Sequence, residues 1–228
     1  MMNENPVTRY RSRKSLTIDG SMAHWYARTT RKNMEQYKSW AQKVSGYLRP
    51  GAHVLEIAPG PGYLATHLAR LGDYHIVGLD LSRTMVEIAR ETAAAAGAQV
   101  DFRQGDAGRM PLQDDNFDFV VCTAAFKNFP DPVQVPDEIF RVLKPGGKAL
   151  IEDLRRNSSW REIKEGVDAM GLSLVDSLFT KLSFKFMLVK MAYTPAEIRE
   201  LAAKSKFARC DILEAAMGME ISLRKQGC

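Results

Sequence analysis

Glu56, Asp80 and Asp106 stand 24 and 26 residues apart, and each follows an apolar run that reads as a β-strand. Each interval holds one strand, one helix and their connections. All three carboxylates therefore fall at one edge of a parallel sheet, around a single crevice. A carboxylate there accepts hydrogen bonds, Asp80 from a pair of neighbouring hydroxyls and Asp106 from an exocyclic amino group. Between the first two acids, Gly60-x-Gly62-x-x-Ala65 follows the strand and opens a helix, with Asp80 18 residues beyond Gly62. That spacing matches a dinucleotide-binding fingerprint, so a nicotinamide-dependent oxidoreductase is one reading.

Two details oppose it. A pyrophosphate is cradled by free backbone N–H groups at a helix N-terminus, and Pro59 and Pro61 each remove one from this short loop. Glu56 adds a negative charge where phosphate would sit. A ligand without phosphate that carries an ammonium or sulfonium group fits both facts, and S-adenosylmethionine is such a ligand.

The elements that must position these residues alternate. The strands are HVLEIA (53–58), HIVGLD (75–80), QVDFRQGD (99–106), FDFVVCTAA (117–125) and KALIEDL (148–154). Helices are predicted over 61–72, from Ser82 as cap to about Ala96 with Gly97 as stop, and over about 135–143. An amphipathic helix is predicted from about Arg31 to Tyr47. Beyond Asp153 the pattern breaks: residues 157–192 read as one or two helices, a helix follows from Pro195 to about Lys204, and strands near 208–215 and 218–224 form an antiparallel hairpin. The expected fold is α/β: a doubly wound, mostly parallel seven-stranded sheet, Rossmann-like, with an antiparallel C-terminal hairpin and a helical lid insertion. Residues 1–30 form an N-terminal arm, 31–156 and 193–228 the core, and 157–192 the lid.

Composition narrows the class. With 228 residues, 45% apolar and 26% charged, the chain suits one sizeable domain with its own core. Cys122, Cys210 and Cys228 form no Cys-x-x-Cys pair, so neither a disulfide scaffold nor a zinc cluster is expected, and no metal site is assigned. Cys122 and Cys210 read as reduced core residues. No apolar run reaches bilayer length and the first residues lack the apolar middle of a secretory signal, so the expected location is cytoplasmic. Residues 1–50 hold ten Lys/Arg against three Asp/Glu, or +7, leaving about −2 for the rest of a chain of net +5. The basic cluster Arg9, Arg11, Arg13 and Lys14 reads as a solvated tail, or as an attractor of anionic substrate, nucleic acid or acidic lipid.

Glu56-Ile-Ala-Pro-Gly-Pro-Gly62, GLDLS, FRQGDAGRMPL, FDFVV and FRVLKPGGKALI, in this order and spacing, resemble the successive motifs of class I S-adenosylmethionine-dependent methyltransferases, most nearly the ubiquinone/menaquinone-biosynthesis type. The resemblance covers about residues 50–155, and the final hairpin resembles the family's reversed seventh strand. It implies methyl transfer, with S-adenosyl-L-homocysteine as product. It also implies that Glu56 and the Ala58, Gly60, Gly62 loop hold the methionine moiety. Asp80 then holds the ribose beside Leu81, Asp106-Ala107 holds the adenine, and Thr123 lines the methionine end. The chain departs from the pattern at Ala58, where the family has glycine. It departs again at Lys127-Asn128, where relatives carry two histidines, so an imidazole base is missing there.

Methyl transfer from a sulfonium is an in-line displacement on an already activated electrophile. A base is needed only where the acceptor must lose a proton. Candidates are His24 in HWYARTT, Lys127 leaving the fourth strand, and Asp153 closing the fifth. In HWYARTT, Tyr26 and Arg28 are candidates for the methionine carboxylate. Phe179, Phe184, Phe186, Met187 and Met191 of the lid suggest an apolar acceptor pocket. Lys181, Lys185 and Lys190 offer a peripheral membrane contact instead. The expected partner is a small molecule, anionic or lipophilic, with nucleic acid disfavoured for want of an RNA-binding module. RNA or protein methylation, and a cofactor-binding protein or cyclase of this fold without methyl transfer, remain alternatives.

Overall fold

The computed structural model describes residues 17–168, 174–184 and 189–227. The basic cluster at 9–14, Lys185, Phe186, Met187 and Cys228 lie outside the described residues, as does the side chain of Phe179.

Seven strands form one sheet in the order β3-β2-β1-β4-β5-β7-β6. They are β1 Ala52–Ile57, β2 Tyr74–Asp80, β3 Asp101–Gln104, β4 Phe117–Thr123, β5 Leu143–Leu154, β6 Asp211–Ala215 and β7 Gly218–Arg224. β1 to β5 pair in parallel, and β7 runs antiparallel to both β5 and β6. The helices are α1 Gly20–Thr30, α2 Met34–Ser45, α3 Tyr63–Leu68, α4 Arg83–Ala95, α5 Gln134–Val142, α6 Trp160–Asp168, α7 Leu174–Ser183, the single turn α8 Val189–Met191, and α9 Pro195–Lys204.

Strand periodicity divides the core in two. Leu55, Val120, Cys122, Ala149 and Ile151 pack on one face with Ile139, Val142 and Leu201. Their neighbours Val54, Val121 and Leu150 pack on the other with Ala41, Val44, Leu64 and Ala89. Successive side chains alternate across the sheet, so strands buried on both faces read as continuous apolar runs.

Several boundaries differ from expectation. The second part of the N-terminal arm expected over 1–30 is helical: α1 starts at Gly20, where Asp19 supplies an N-cap whose side chain accepts from the Gly20 N–H. The helix expected from Arg31 is split, with a 3-10 turn at Arg31–Asn33 before α2. α3 begins at Tyr63 rather than Pro61, since Gly62 takes a left-handed conformation at its N-cap. The third strand shrinks to 101–104, and Asp106 makes only an isolated bridge with Arg109. Cys210 is half-buried and precedes β6 instead of lying within it. Among its described residues the insertion holds three helices, whose residues Ile163, Val167 and Val189 form a separate small cluster with Phe184 and Met217.

Candidate functional site

The chain turns left-handed at the ends of two neighbouring strands. After β1, Ala58 has φ +53° and its N–H donates to Leu79 O of β2 at 2.8 Å. After β4, Ala124 has φ +56° and its N–H donates to Glu152 O of β5 at 2.7 Å. The two chains bend in opposite directions, which parts them at the point where strand order reverses. A crevice opens there. Non-glycine residues at positive φ each cost about 1–2 kcal/mol, and such strain clusters at functional sites.

The crevice is a cleft of about 140 Å³. Ala58, Gly60, Asp80, Leu81, Asp106, Ala107, Thr123 and Tyr26 all line it. Asp80 is largely buried: one oxygen accepts from Gly60 N–H at 3.0 Å, the other from Ser82 N–H at 2.9 Å. Burial raises its pKa, opposed by those two hydrogen bonds. Each carboxylate oxygen accepts more than one hydrogen bond, so Asp80 keeps capacity for a ligand. Asp106 is exposed at the rim, where Oδ1 accepts from Gly108 N–H at 2.8 Å. Burial, and secondarily the nearby Asp80, raises the pKa of the Tyr26 phenol.

Other expected residues lie elsewhere. Glu56 is absent from the cleft wall; it lies buried behind the loop and accepts from Ala65 N–H at 2.9 Å. With no cation beside it, burial pushes its carboxyl up to about 8. Gly62 serves packing, since a Cβ there would stand 2.7 Å from Phe102 and 2.8 Å from Ala89. His24 and Arg28, four residues apart, share an exposed face of α1 that opens away from the cleft, towards Glu91 of α4. Tyr26 falls on a different side of the helix and turns inward. Lys127 and Asp153 are both buried and bind each other: Lys127 Nζ lies 2.8 Å from Asp153 Oδ1, and Lys127 N–H donates to Oδ2 at 2.8 Å. Lys127 Nζ also donates to Ala124 O. Neither is presented to the cleft, because the 3-10 turn at Phe126–Asn128 directs Lys127 inward. The described lid residues do not line it either, and Lys181 pairs with Asp168 at 2.5 Å.

Sequence reasoning left Thr17, Ile18, Met85 and Pro130 unassigned, and all four line the cleft; Asn128 and Phe129, expected with Lys127 over the methyl position, line it too. Thr17 and Ile18 are held by Asp19, whose carboxylate accepts from Ser82 Oγ and Thr84 N–H as well as Gly20 N–H. An Asp-Gly pair before an amphipathic stretch was the available signal.

The glycine loop decides between the two ligand classes. Ala58 N–H donates to Leu79 O, Gly60 N–H to Asp80, and Gly62 N–H to Pro59 O at 3.0 Å. Pro59 and Pro61 have no N–H. Every backbone donor from Ala58 to Gly62 is thus committed within the protein. Residues 55–151 match the model of the methyltransferase domain family. The chain is 40% identical over 99 residues to a demethylmenaquinone methyltransferase of Deinococcus radiodurans, covering 43% of this chain and 41% of that protein. It is 28% identical over 197 residues to an arsenite methyltransferase of Halobacterium salinarum, covering 80% and 49%. The chain thus spans about half or less of the length of these relatives. A structure from Methanococcus maripaludis, described as an S-adenosyl-L-methionine-dependent methyltransferase, shares the fold with a TM-score of 0.77 and 21% identity over 95% of this chain and 98% of that one. The Asp80 carboxylate, beside a loop whose own N–H groups are committed, suits a ligand without phosphate, S-adenosylmethionine among them. Among the described residues no helix is long and apolar enough to cross a membrane.

Proposed function

We propose that this chain transfers a methyl group from S-adenosylmethionine to a small-molecule acceptor, leaving S-adenosyl-L-homocysteine. The observation that carries the reading is the loop in which every N–H is taken while Asp80, at its side, retains acceptor capacity. When bound, the cofactor supplies a methyl group activated by its sulfonium. Asp80 accepts from the ribose hydroxyls and Asp106 from the adenine amino group, with Leu81 and Ala107 flanking. Tyr26, over Gly60, excludes water from the methionine end.

On the acceptor side the cleft offers neutral groups, Thr123 and Asn128, beside the apolar Phe129 and Pro130. Lys127 and Asp153 hold each other, so they serve to fix that wall rather than to move protons. Rate then comes from alignment and desolvation, and a lipophilic acceptor suits the wall better than an anionic one. The matched relatives act, by name, on acceptors as different as demethylmenaquinone and arsenite, which favours a small molecule without naming it.

Titration calorimetry tests the reading. S-adenosylhomocysteine should bind the wild type, and Asp80→Ala should weaken it by at least roughly tenfold, since charge-assisted hydrogen bonds of about 1.5–3 kcal/mol each are lost. Binding of NAD with no response to S-adenosylhomocysteine would overturn it.

A further inference from the structure

A depression of about 950 Å³ opens at the edge of the sheet opposite the cleft. Its walls are the turn after α2, the Lys144-Pro145-Gly146-Gly147 bend of β5, and the ends of β6 and β7. Four cations line it, Arg49, Lys144, Lys148 and Arg224, against two carboxylates, Asp118 and Asp211, a balance of +2.

One cation is neutralised: Lys144 Nζ lies 2.7 Å from Asp118, whose other tie is the His53 N–H. The remaining three make no ion pair with a carboxylate among the described residues. Lys148 instead places its ammonium 4.0 Å from the centre of the Tyr47 ring, which stacks on Phe119 at 5.5 Å. Lys148 and Arg224 are register partners on the antiparallel β5–β7 pair. Like charges directly opposite on neighbouring strands destabilise each other, so their conjunction calls for a counter-charge. Guanidinium groups meet phosphate oxygens in bidentate pairs, and an ammonium adds a third contact.

We propose that this depression is a second binding site, selective for a small phosphorylated molecule and separate from the methyl-transfer cleft. The two facing loops and the carboxylates on the walls suit a compact anion rather than an extended polyanion, which those acids would repel. The inference is independent of the acceptor's identity and of the methyl-transfer reading.

Calorimetry with inorganic pyrophosphate at fixed ionic strength tests it. Saturable binding is expected in the wild type. It should fall by at least roughly tenfold in the double variant Lys148→Gln/Arg224→Gln, as two charge-assisted contacts disappear. Without added anion the double variant should melt no lower than the wild type, because a repulsive pair has been removed, which separates lost binding from lost folding. Its affinity for S-adenosylhomocysteine should be unchanged. Pyrophosphate binding that does not saturate, or that is equal in both proteins, overturns the proposal. So does flotation with phosphatidylglycerol vesicles that depends on the same two residues, since a lipid headgroup would then be the source of the phosphate.

Discussion

Two buried carboxylates illustrate how the same residue type serves different ends. Glu56 has one hydrogen bond and no cation, so burial disfavours its ionised form and its pKa rises from 4.5 to about 8. The folded state therefore holds the proton more tightly than the unfolded chain. The resulting stabilisation is fully present below pH 4.5 and is lost as pH rises to about 8. Glu56→Gln in the cofactor-free protein should remove this dependence. Its melting temperature relative to wild type should be higher at pH 9 than at pH 5, which scanning calorimetry at the two pH values would read. Asp153 has its cation in Lys127. Removing one partner strands a buried charge, at about 3–5 kcal/mol. Lys127→Met and Asp153→Leu should each destabilise by about that much, whereas the double variant Lys127→Met/Asp153→Leu should recover most of it. Chemical denaturation of the four proteins closes the cycle, and additive losses would contradict the pairing.

Among the elements, α1 is anchored at its start by the Asp19 carboxylate, with Tyr63 OH donating to Ala27 O further along. Ala23 and Ala27 pack against Met85 and Ile88 of α4, a small apolar contact. Asp19 adds the directional part, tied to Gly20, Ser82 and Thr84, and these hydrogen bonds, from Thr84 foremost and then Ser82, hold its carboxyl down to about 2. Asp19→Ala removes the cap and the tie together. Faster hydrogen exchange is expected over 17–30, with weaker binding of S-adenosylhomocysteine and little change in global melting. An unchanged exchange pattern would show that the alanine contacts suffice.

On the scale of the whole molecule, the antiparallel hairpin closes the sheet and completes one face of the core. Met219, Ile221 and Leu223 of β7 are buried with Ile151, Ile198 and Leu201, and Glu220 shares Lys43 with Glu152. β5 would otherwise be an open apolar edge, which invites aggregation. A chain truncated after residue 208 should therefore be insoluble or lose cooperative unfolding. A soluble truncated protein with intact S-adenosylhomocysteine binding would show that the hairpin is dispensable.

The sequence by itself determined the alternation of strands and helices, hence the doubly wound sheet, and the residues at the carboxyl edge. Strand periodicity, the capping residues Ser82 and Gly97, and the interval between Asp80 and Asp106 are local or evenly spaced features, legible without coordinates. Orientation and pairing were not. A helix turns by about 100° per residue, so whether Tyr26 or Arg28 of α1 met the cleft depended on where Ala23 and Ala27 packed. Lys127 and Asp153 are 26 residues apart and became an ion pair only because β4 and β5 are neighbours. Glu56 and Gly62, within the motif that carries the resemblance, stay out of the cleft wall for the same reason: the close packing of α3, α4 and β3 against the loop decides what it shows to the cleft.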